Sequence, residues 1–257
     1  MLRRLEGEDG LQPFLDDPDI AKASLAESII GLTKVWREAF GDFPLPGQVS
    51  KESEALPIHL EIAIPLVSEE VYRETRRAVE ATGVFITSVR SVSIRDLLAE
   101  DELREQRGKP RRLGYVNESK RMRATVPLEM EVFIDPNAVR IEGSNNLPTN
   151  TQKQMIQDAG ERFRDKLPQG VRSNVVFDMM DPSTMSQLED AWMDAGRGLL
   201  LPDYAARTDV QTVPGCVANV GRGDPTYRRV VSGWGRDFGL DHVFAVPVGV
   251  LPRKSAV

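Results

Sequence analysis

A strongly basic stretch runs from residue 104 to residue 123. It holds eight arginine and lysine residues and only two glutamates. Clustered guanidinium and ammonium groups can neutralise the phosphates of a nucleotide or of nucleic acid. The candidate anion-binding residues in this stretch are Arg111, Arg112, Arg121 and Arg123.

The same stretch also fits a role without phosphate. Gly108, Pro110 and Gly114 interrupt any regular element, which predicts a basic, mobile loop. The whole chain has a net charge of −6 although this stretch contributes +6, so the remainder carries −12 and repels a polyanion. A solvated loop or a contact between subunits therefore competes with phosphate binding, and the 104–123 stretch is the only route by which we expect nucleic acid to bind.

Asp178 and Asp181 form a candidate metal site. They follow a short predicted strand, where open α/β sheets often place ligands, and two carboxylates three residues apart can hold Mg²⁺. The structural alternative is that Asp181, which precedes Pro182, caps a helix, while Asp178 only ends the strand. Apart from this Mg²⁺, we expect no cofactor.

Cys216 and His242 are the candidate nucleophile and base. The chain has one cysteine and two histidines, so few other side chains can take these roles. Asp237 is better spaced than Asp241 to orient the imidazole, because neighbours on a strand point to opposite faces. The alternative is that Cys216 is a small buried apolar residue. The catalytic residues stay undetermined at this stage.

The composition excludes several classes of protein. A single cysteine allows no intrachain disulfide and no thiolate zinc site. No stretch approaches 18 uncharged apolar residues, so we expect no membrane span. The first residues lack the apolar run of a signal peptide, and we therefore expect a cytoplasmic protein.

The periodicity of apolar residues predicts an α+β fold with a mixed β-sheet and at least four helices. An amphipathic helix over 18–40, followed by a proline-rich linker, indicates an N-terminal helical arm at 1–50. A single α+β domain is predicted for 51–257, with apolar stripes that condense into one interior. Within it, a strand–helix–strand unit over 57–89 suggests parallel neighbouring strands. After Gly196 the segment is rich in loops, with short strand candidates.

Two functions follow from these features. The first is a non-catalytic binding or assembly protein that forms a homo-oligomer or binds a protein partner. The sparse supply of histidine and cysteine favours it, because acid–base and nucleophilic schemes need such groups. The alternative is an enzyme or sensor for a phosphate or nucleotide ligand, which would use the basic loop together with Asp178 and Asp181.

Overall fold

The computed structural model describes residues 58–59, 62–116, 125–213, 215–221, 229–237 and 239–255. These residues belong to one compact unit, Ala55–Val257. The arm predicted at 1–50 lies outside the described residues, as do Arg121 and Arg123 of the basic stretch.

Local capping signals fix where three of the helices begin. Ser68 accepts a hydrogen bond from the backbone N–H of Val71, and Ser93 and Asp96 form a reciprocal capping box. Asp181 caps the last helix, which has proline at its first position. The helices of the described residues are α1 (Glu69–Glu80), α2 (Ile94–Gln106), α3 (Thr149–Arg164), a 3-10 helix (Gln169–Asn174) and α4 (Pro182–Asp194).

Thirteen strands in the described part of the chain form two larger sheets and two short pairs. In chain order they are β1 (Ile58–His59), β2 (Leu66–Val67), β3 (Phe85–Val89), β4 (Leu113–Val116), β5 (Thr125–Val126), β6 (Met130–Ile134), β7 (Val176–Asp178), β8 (Ala205–Val213), β9 (Cys216–Gly221), β10 (Arg229–Gly235), β11 (Val243–Phe244), β12 (Val248–Val250) and β13 (Arg253–Lys254). The five-stranded sheet has the order β11-β8-β9-β10-β4 and the four-stranded sheet the order β3-β6-β12-β7. Parallel and antiparallel pairs both occur, so the fold is α+β with mixed pairing, as predicted.

The four-stranded sheet divides the interior into two apolar clusters, whereas the sequence predicts one. Successive residues of β6 point to opposite faces, so Val132 and Ile134 join one cluster while Phe133 joins the other. Phe133, Phe163 of α3 and Phe177 of β7 pack with ring centroids 5.1 to 5.4 Å apart. Helices α1 and α3 cover this second face of the sheet.

Helix α4 is the element that joins the two larger sheets. It packs against β3 of the four-stranded sheet and against β8 and β9 of the five-stranded sheet. Nine of its thirteen residues are buried, and several of them are polar. Two of the polar side chains, Ser183 and Gln187, donate to the carbonyls of Val92 and Arg90, so α4 holds the chain after β3 in place as well as packing against it.

The 57–89 region departs from prediction. Of the described residues where one strand is predicted, Ile58–His59 and Leu66–Val67 form the short strands β1 and β2, and residues 62–65 are irregular. Strand β3 has β6 as its antiparallel neighbour, so the predicted parallel crossover is wrong. The alternation of Val139 and Ile141 after the turn signal at 135–137 also predicts a hairpin partner for β6, but residues 139–141 form no strand, and the N–H of Ile141 donates to the carbonyl of Ala245.

The basic stretch is also more regular than predicted within the described residues. Residues 104–106 complete α2, and residues 113–116 form β4, which pairs in parallel with β10. The structure gives residues 107–112 as the connection between α2 and β4. Arg111 and Arg112 therefore lie beside a helix and at the start of a strand.

The apolar segment Val243–Val250 divides between the two sheets. Its first part is β11, which pairs with β8, and its last part is β12, which lies between β6 and β7. Pro247 lies in the irregular residues between these strands, where it interrupts no ladder of hydrogen bonds. In the described residues, no helix is long and apolar enough to cross a bilayer.

Candidate functional site

A charged cavity of about 320 Å³ lies between α2 and α4. Each helix contributes residues at positions i, i+3, i+4 and i+7, which form one face of a helix. The ends of β3 and β4 close the cavity. Its lining consists of Leu97, Glu100, Asp101 and Arg104 from α2, Gln187, Asp190, Ala191 and Asp194 from α4, and Ser88, Arg90, Arg112 and Leu113 from the strand ends.

Gln187 fixes the chain just after β3. Its Oε1 accepts from the backbone N–H of Arg90 at 2.9 Å, and its Nε2 donates to the carbonyl of Arg90 at 3.0 Å. The amide side chain thus pairs with the backbone as a neighbouring strand would. Because Gln187 also lines the cavity, this contact places one wall relative to α4.

Asp101 fixes the start of β4 to α2 in a similar way. Its buried carboxylate accepts from the backbone N–H of Arg112 at 2.9 Å and from that of Leu113 at 2.8 Å. These bonds satisfy the buried charge with backbone donors. Asp101 is therefore a structural carboxylate at the base of the cavity.

Arg112 joins the cavity to the face of α4. Its guanidinium donates to both carboxylate oxygens of Asp194 and lies 3.6 Å from an oxygen of Asp190. The hydrogen bond from Arg112 lowers the pKa of Asp194 below its usual value, with Arg104 and Lys109 adding to the effect through their charges. This carboxylate therefore stays ionised to a lower pH than an unpaired aspartate does.

Behind Arg112 lies a buried ion pair between β10 and α4. The Nε of Arg229 donates to Glu189 at 2.7 Å, its guanidinium also donates to Asp190, and both Arg229 and Glu189 are almost inaccessible to solvent. Burial raises the pKa of Glu189, and the charge of Arg229 opposes that rise. Asp190 thus connects the buried pair to the cavity.

Two further arginines contribute to the lining. Arg90 forms a two-pronged pair with Glu100, with both N–O distances at 2.8 Å. Arg104 uses its Nε to donate to the carbonyl of Pro110 at 3.1 Å. In the described part of the chain, no carboxylate lies within ion-pair distance of Arg104, so its terminal nitrogens are available to a ligand.

The structure describes two of the four predicted anion-binding residues. Arg112 lines the cavity and is paired as above. Arg111 lies 3.6 Å from Glu105 and 3.9 Å from each of Asp101 and Glu102. Both guanidiniums therefore face carboxylates of the same chain. Arg121 and Arg123 lie outside the described residues.

Asp178 and Asp181 lie away from the lining of the cavity. Asp181 is buried, accepts from the N–H groups of Ser183 and Thr184, and so caps α4. Asp178 accepts from the N–H of Met179 and lies 3.3 Å from the ammonium of Lys153. Across the described ranges, no three histidine, cysteine, aspartate or glutamate residues are grouped to hold a metal ion.

Cys216 and His242 lie at opposite ends of β8. Cys216 pairs with Val213 at one end, whereas the carbonyl of His242 accepts from the N–H of Ala205 at the other. At about 3.3 Å per residue, the eight intervals of β8 separate them by roughly 25 Å. The structure therefore does not bring the predicted nucleophile and base together.

The predicted orienting residue for His242 is also different. The Nδ1 of His242 lies 2.8 Å from the carboxylate of Asp241, which is its sequence neighbour. Both residues lie in a turn, so the strand rule that points neighbours to opposite faces does not apply to them.

Sequence reasoning missed most of the charged residues in the cavity. Arg90, Glu100, Asp190 and Asp194 are ordinary surface charges by type. The available signal was their spacing, because α2 carries Glu100, Asp101 and Arg104 on one face, and α4 carries Gln187, Asp190 and Asp194 on one face. Only the packing of α2 beside α4 shows that the two faces enclose a cavity.

Comparison of the chain with protein-family models, curated proteins and solved structures finds no match.

Proposed function

We propose that this chain is a non-catalytic binding or assembly protein and that the cavity between α2 and α4 is its ligand site. The observation that supports the proposal is the composition of the lining. It gathers guanidinium and carboxylate groups, whereas Cys216, His242, Asp178 and Asp181 are all elsewhere. Such a lining recognises charged groups and lacks the paired nucleophile and base that a covalent mechanism uses.

The fixed positions of the charged groups also support binding. Gln187 holds the chain at Arg90, Asp101 holds β4, and Arg112 is held by Asp194. A site whose side chains are already positioned loses little conformational entropy when a ligand arrives. Tight packing of α4 between two sheets adds to this rigidity.

The ligand site is tested by thermal shift and calorimetry with charged small molecules. Arg104→Gln removes the cavity arginine whose terminal nitrogens are available to a ligand. Arg95→Gln changes an exposed position on α2 outside the lining and is the matched control. A ligand that stabilises the wild type and Arg95→Gln but not Arg104→Gln supports the proposal. A ligand that binds all three equally places the site elsewhere.

Assembly is the second part of the proposal. A homo-oligomer or a complex with a protein partner, in the cytoplasm, fits a protein whose chemistry is recognition. Multi-angle light scattering over a range of concentrations measures the mass in solution. A mass near twice 28.6 kDa or higher supports self-assembly, and a strict monomer contradicts it.

An enzyme or sensor for a phosphate or nucleotide ligand is the second candidate function. It is favoured by Arg104 and Arg112, which both come from the basic stretch and line the cavity. This candidate function also includes a Mg²⁺ ion held near Asp178 and Asp181. A thermal-shift series with nucleotides, with and without Mg²⁺, tests it. Stabilisation that requires Mg²⁺ supports this candidate over the first, and flat melting curves refute it.

A further inference from the structure

We infer that the ligand of the cavity is a compact zwitterion, a molecule with an amino or guanidino group at one end and a carboxylate at the other. This inference rests on the proposed function, because it names the class of ligand for the same site. It follows from the balance of charge in the lining, from the partners that each charge already has, and from the size of the cavity.

The balance of charge comes first. The lining contains three guanidinium groups and four carboxylates, so its formal charge is close to neutral. A polyanion entering the cavity meets the carboxylates of Glu100, Asp190 and Asp194, and a polycation meets the arginines. Like charges brought together in a partly buried site cost free energy, so either kind of ligand is disfavoured. A ligand that carries one charge of each sign avoids both penalties.

The existing partners decide where each end of the ligand binds. Among the described residues, Arg104 commits only its Nε, to the carbonyl of Pro110, so its terminal N–H groups can donate to a ligand carboxylate. On the opposite helix, Asp194 contacts Arg112 and Asp190 contacts Arg112 and Arg229, but both retain lone pairs because each carboxylate has about four acceptor positions. A ligand ammonium therefore fits against α4 and a ligand carboxylate against Arg104.

The size and the remaining lining set the length of the ligand. A volume of about 320 Å³ lies at the lower end of the range for small-molecule sites. Leu97, Leu113 and Ala191 also line the cavity, and their apolar side chains suit a short aliphatic linker. An ω-amino acid, a dipeptide or a basic amino acid has this combination of features.

The test uses three probes with the same six-carbon skeleton: 6-aminohexanoate, hexanoate and hexylammonium. Isothermal titration calorimetry measures the affinity of each for the full chain. We expect 6-aminohexanoate to bind at least about tenfold more tightly than either singly charged probe, since it alone makes both charge-assisted contacts. Inorganic phosphate is the fourth probe and is expected to bind more weakly than 6-aminohexanoate.

Two variants assign the ends of the ligand. Arg104→Gln should weaken 6-aminohexanoate and hexanoate about tenfold and leave hexylammonium unchanged. Asp194→Asn should weaken 6-aminohexanoate and hexylammonium by a similar factor without weakening hexanoate. Arg95→Gln and Asp203→Asn change exposed residues outside the lining and serve as controls. Thermal melting of each variant verifies that it is folded.

The outcomes separate this inference from the proposed function. If hexanoate or phosphate binds as tightly as 6-aminohexanoate, and Arg104→Gln weakens that binding, the cavity is a ligand site but the ligand class is wrong. If none of the four probes binds, the inference is overturned. The proposed ligand site falls as well if the wider panel of charged small molecules and nucleotides also leaves the melting temperature unchanged.

Discussion

Replacing Arg229 by methionine tests whether the buried ion pair holds the cavity together. The substitution removes the cation from Glu189, whose side chain is 3% exposed, and leaves that carboxylate buried. Asp190 keeps Arg112 at 3.6 Å, so the penalty falls mainly on Glu189. Breaking a buried pair from one side costs about 3–5 kcal/mol, and we expect a loss of that size in the free energy of unfolding at pH 7. Urea denaturation measures it.

The pH dependence of this loss provides a second readout. Burial raises the pKa of Glu189 in the folded protein. A carboxyl group whose pKa is higher in the folded than in the unfolded state makes the protein less stable as the pH rises from the unfolded-state pKa to the folded-state pKa. The protein regains this stability on acidification. Removing Arg229 takes away the charge that opposes the rise. The destabilisation of Arg229→Met should therefore shrink as the pH falls from 7 towards 5.

A matched double variant completes the test. Arg229→Met combined with Glu189→Gln removes both charges, and it should recover a large part of the lost stability. A loss below about 1 kcal/mol for the single variant, the size of an exposed pair, would refute the reasoning. A loss that grows on acidification would refute it as well, because protonation of Glu189 removes the buried charge.

Three other substitutions test contacts around α4 and in the core, each by urea denaturation. Asp181→Ala removes the cap of α4 and should cost about 1–2 kcal/mol, equally with and without Mg²⁺; a loss seen only with Mg²⁺ would contradict the capping role. Gln187→Leu leaves the backbone N–H and carbonyl of Arg90 without their partner and should cost about 1–3 kcal/mol, so unchanged stability would refute that contact. Gly249→Ala places a Cβ atom 2.1 Å from the ring of Phe133 and should lower the free energy of unfolding by at least about 1–3 kcal/mol. Adding Phe133→Leu to the same chain should recover part of this loss.

The beginnings of the helices were predictable because their signals are local. Ser68, Ser93 and Asp181 each cap a helix through bonds to backbone groups two or three residues away. Such bonds depend on a few neighbouring residues, which a sequence displays directly. For the same reason the capping alternative for Asp181 is the one that the structure supports.

The strand pairings were not predictable in the same way. An apolar alternation over Phe85–Val89 predicts β3, but nothing in those five residues specifies β6 as its antiparallel neighbour. Pairing of strands that are distant in sequence depends on the tertiary fold as a whole. The division of Val243–Val250 between two sheets is a second case, because one continuous apolar run fits a single strand equally well.

The candidate site depends on tertiary packing even more strongly. Arg229 and Glu189 are residue types that are rarely buried, and here they lie in the interior because they pair with each other and Arg229 also donates to Asp190 and to the carbonyl of Ser186. Arg104 and Arg112 belong to a stretch that the sequence marks as basic, but the carboxylates that line the same cavity come from α2 and α4. The sequence therefore identifies part of one wall of the cavity and cannot show the other.

The most direct test of the cavity as a ligand site is an NMR titration of the full chain with 6-aminohexanoate. We predict saturable changes in the backbone amide shifts of residues 97–104 and 187–194, the two helix faces that line the cavity. The amides around Cys216 should stay unchanged. Shift changes centred on Asp178 or on His242 would contradict the cavity as the ligand site, and no change at saturating probe would contradict a zwitterion as its ligand.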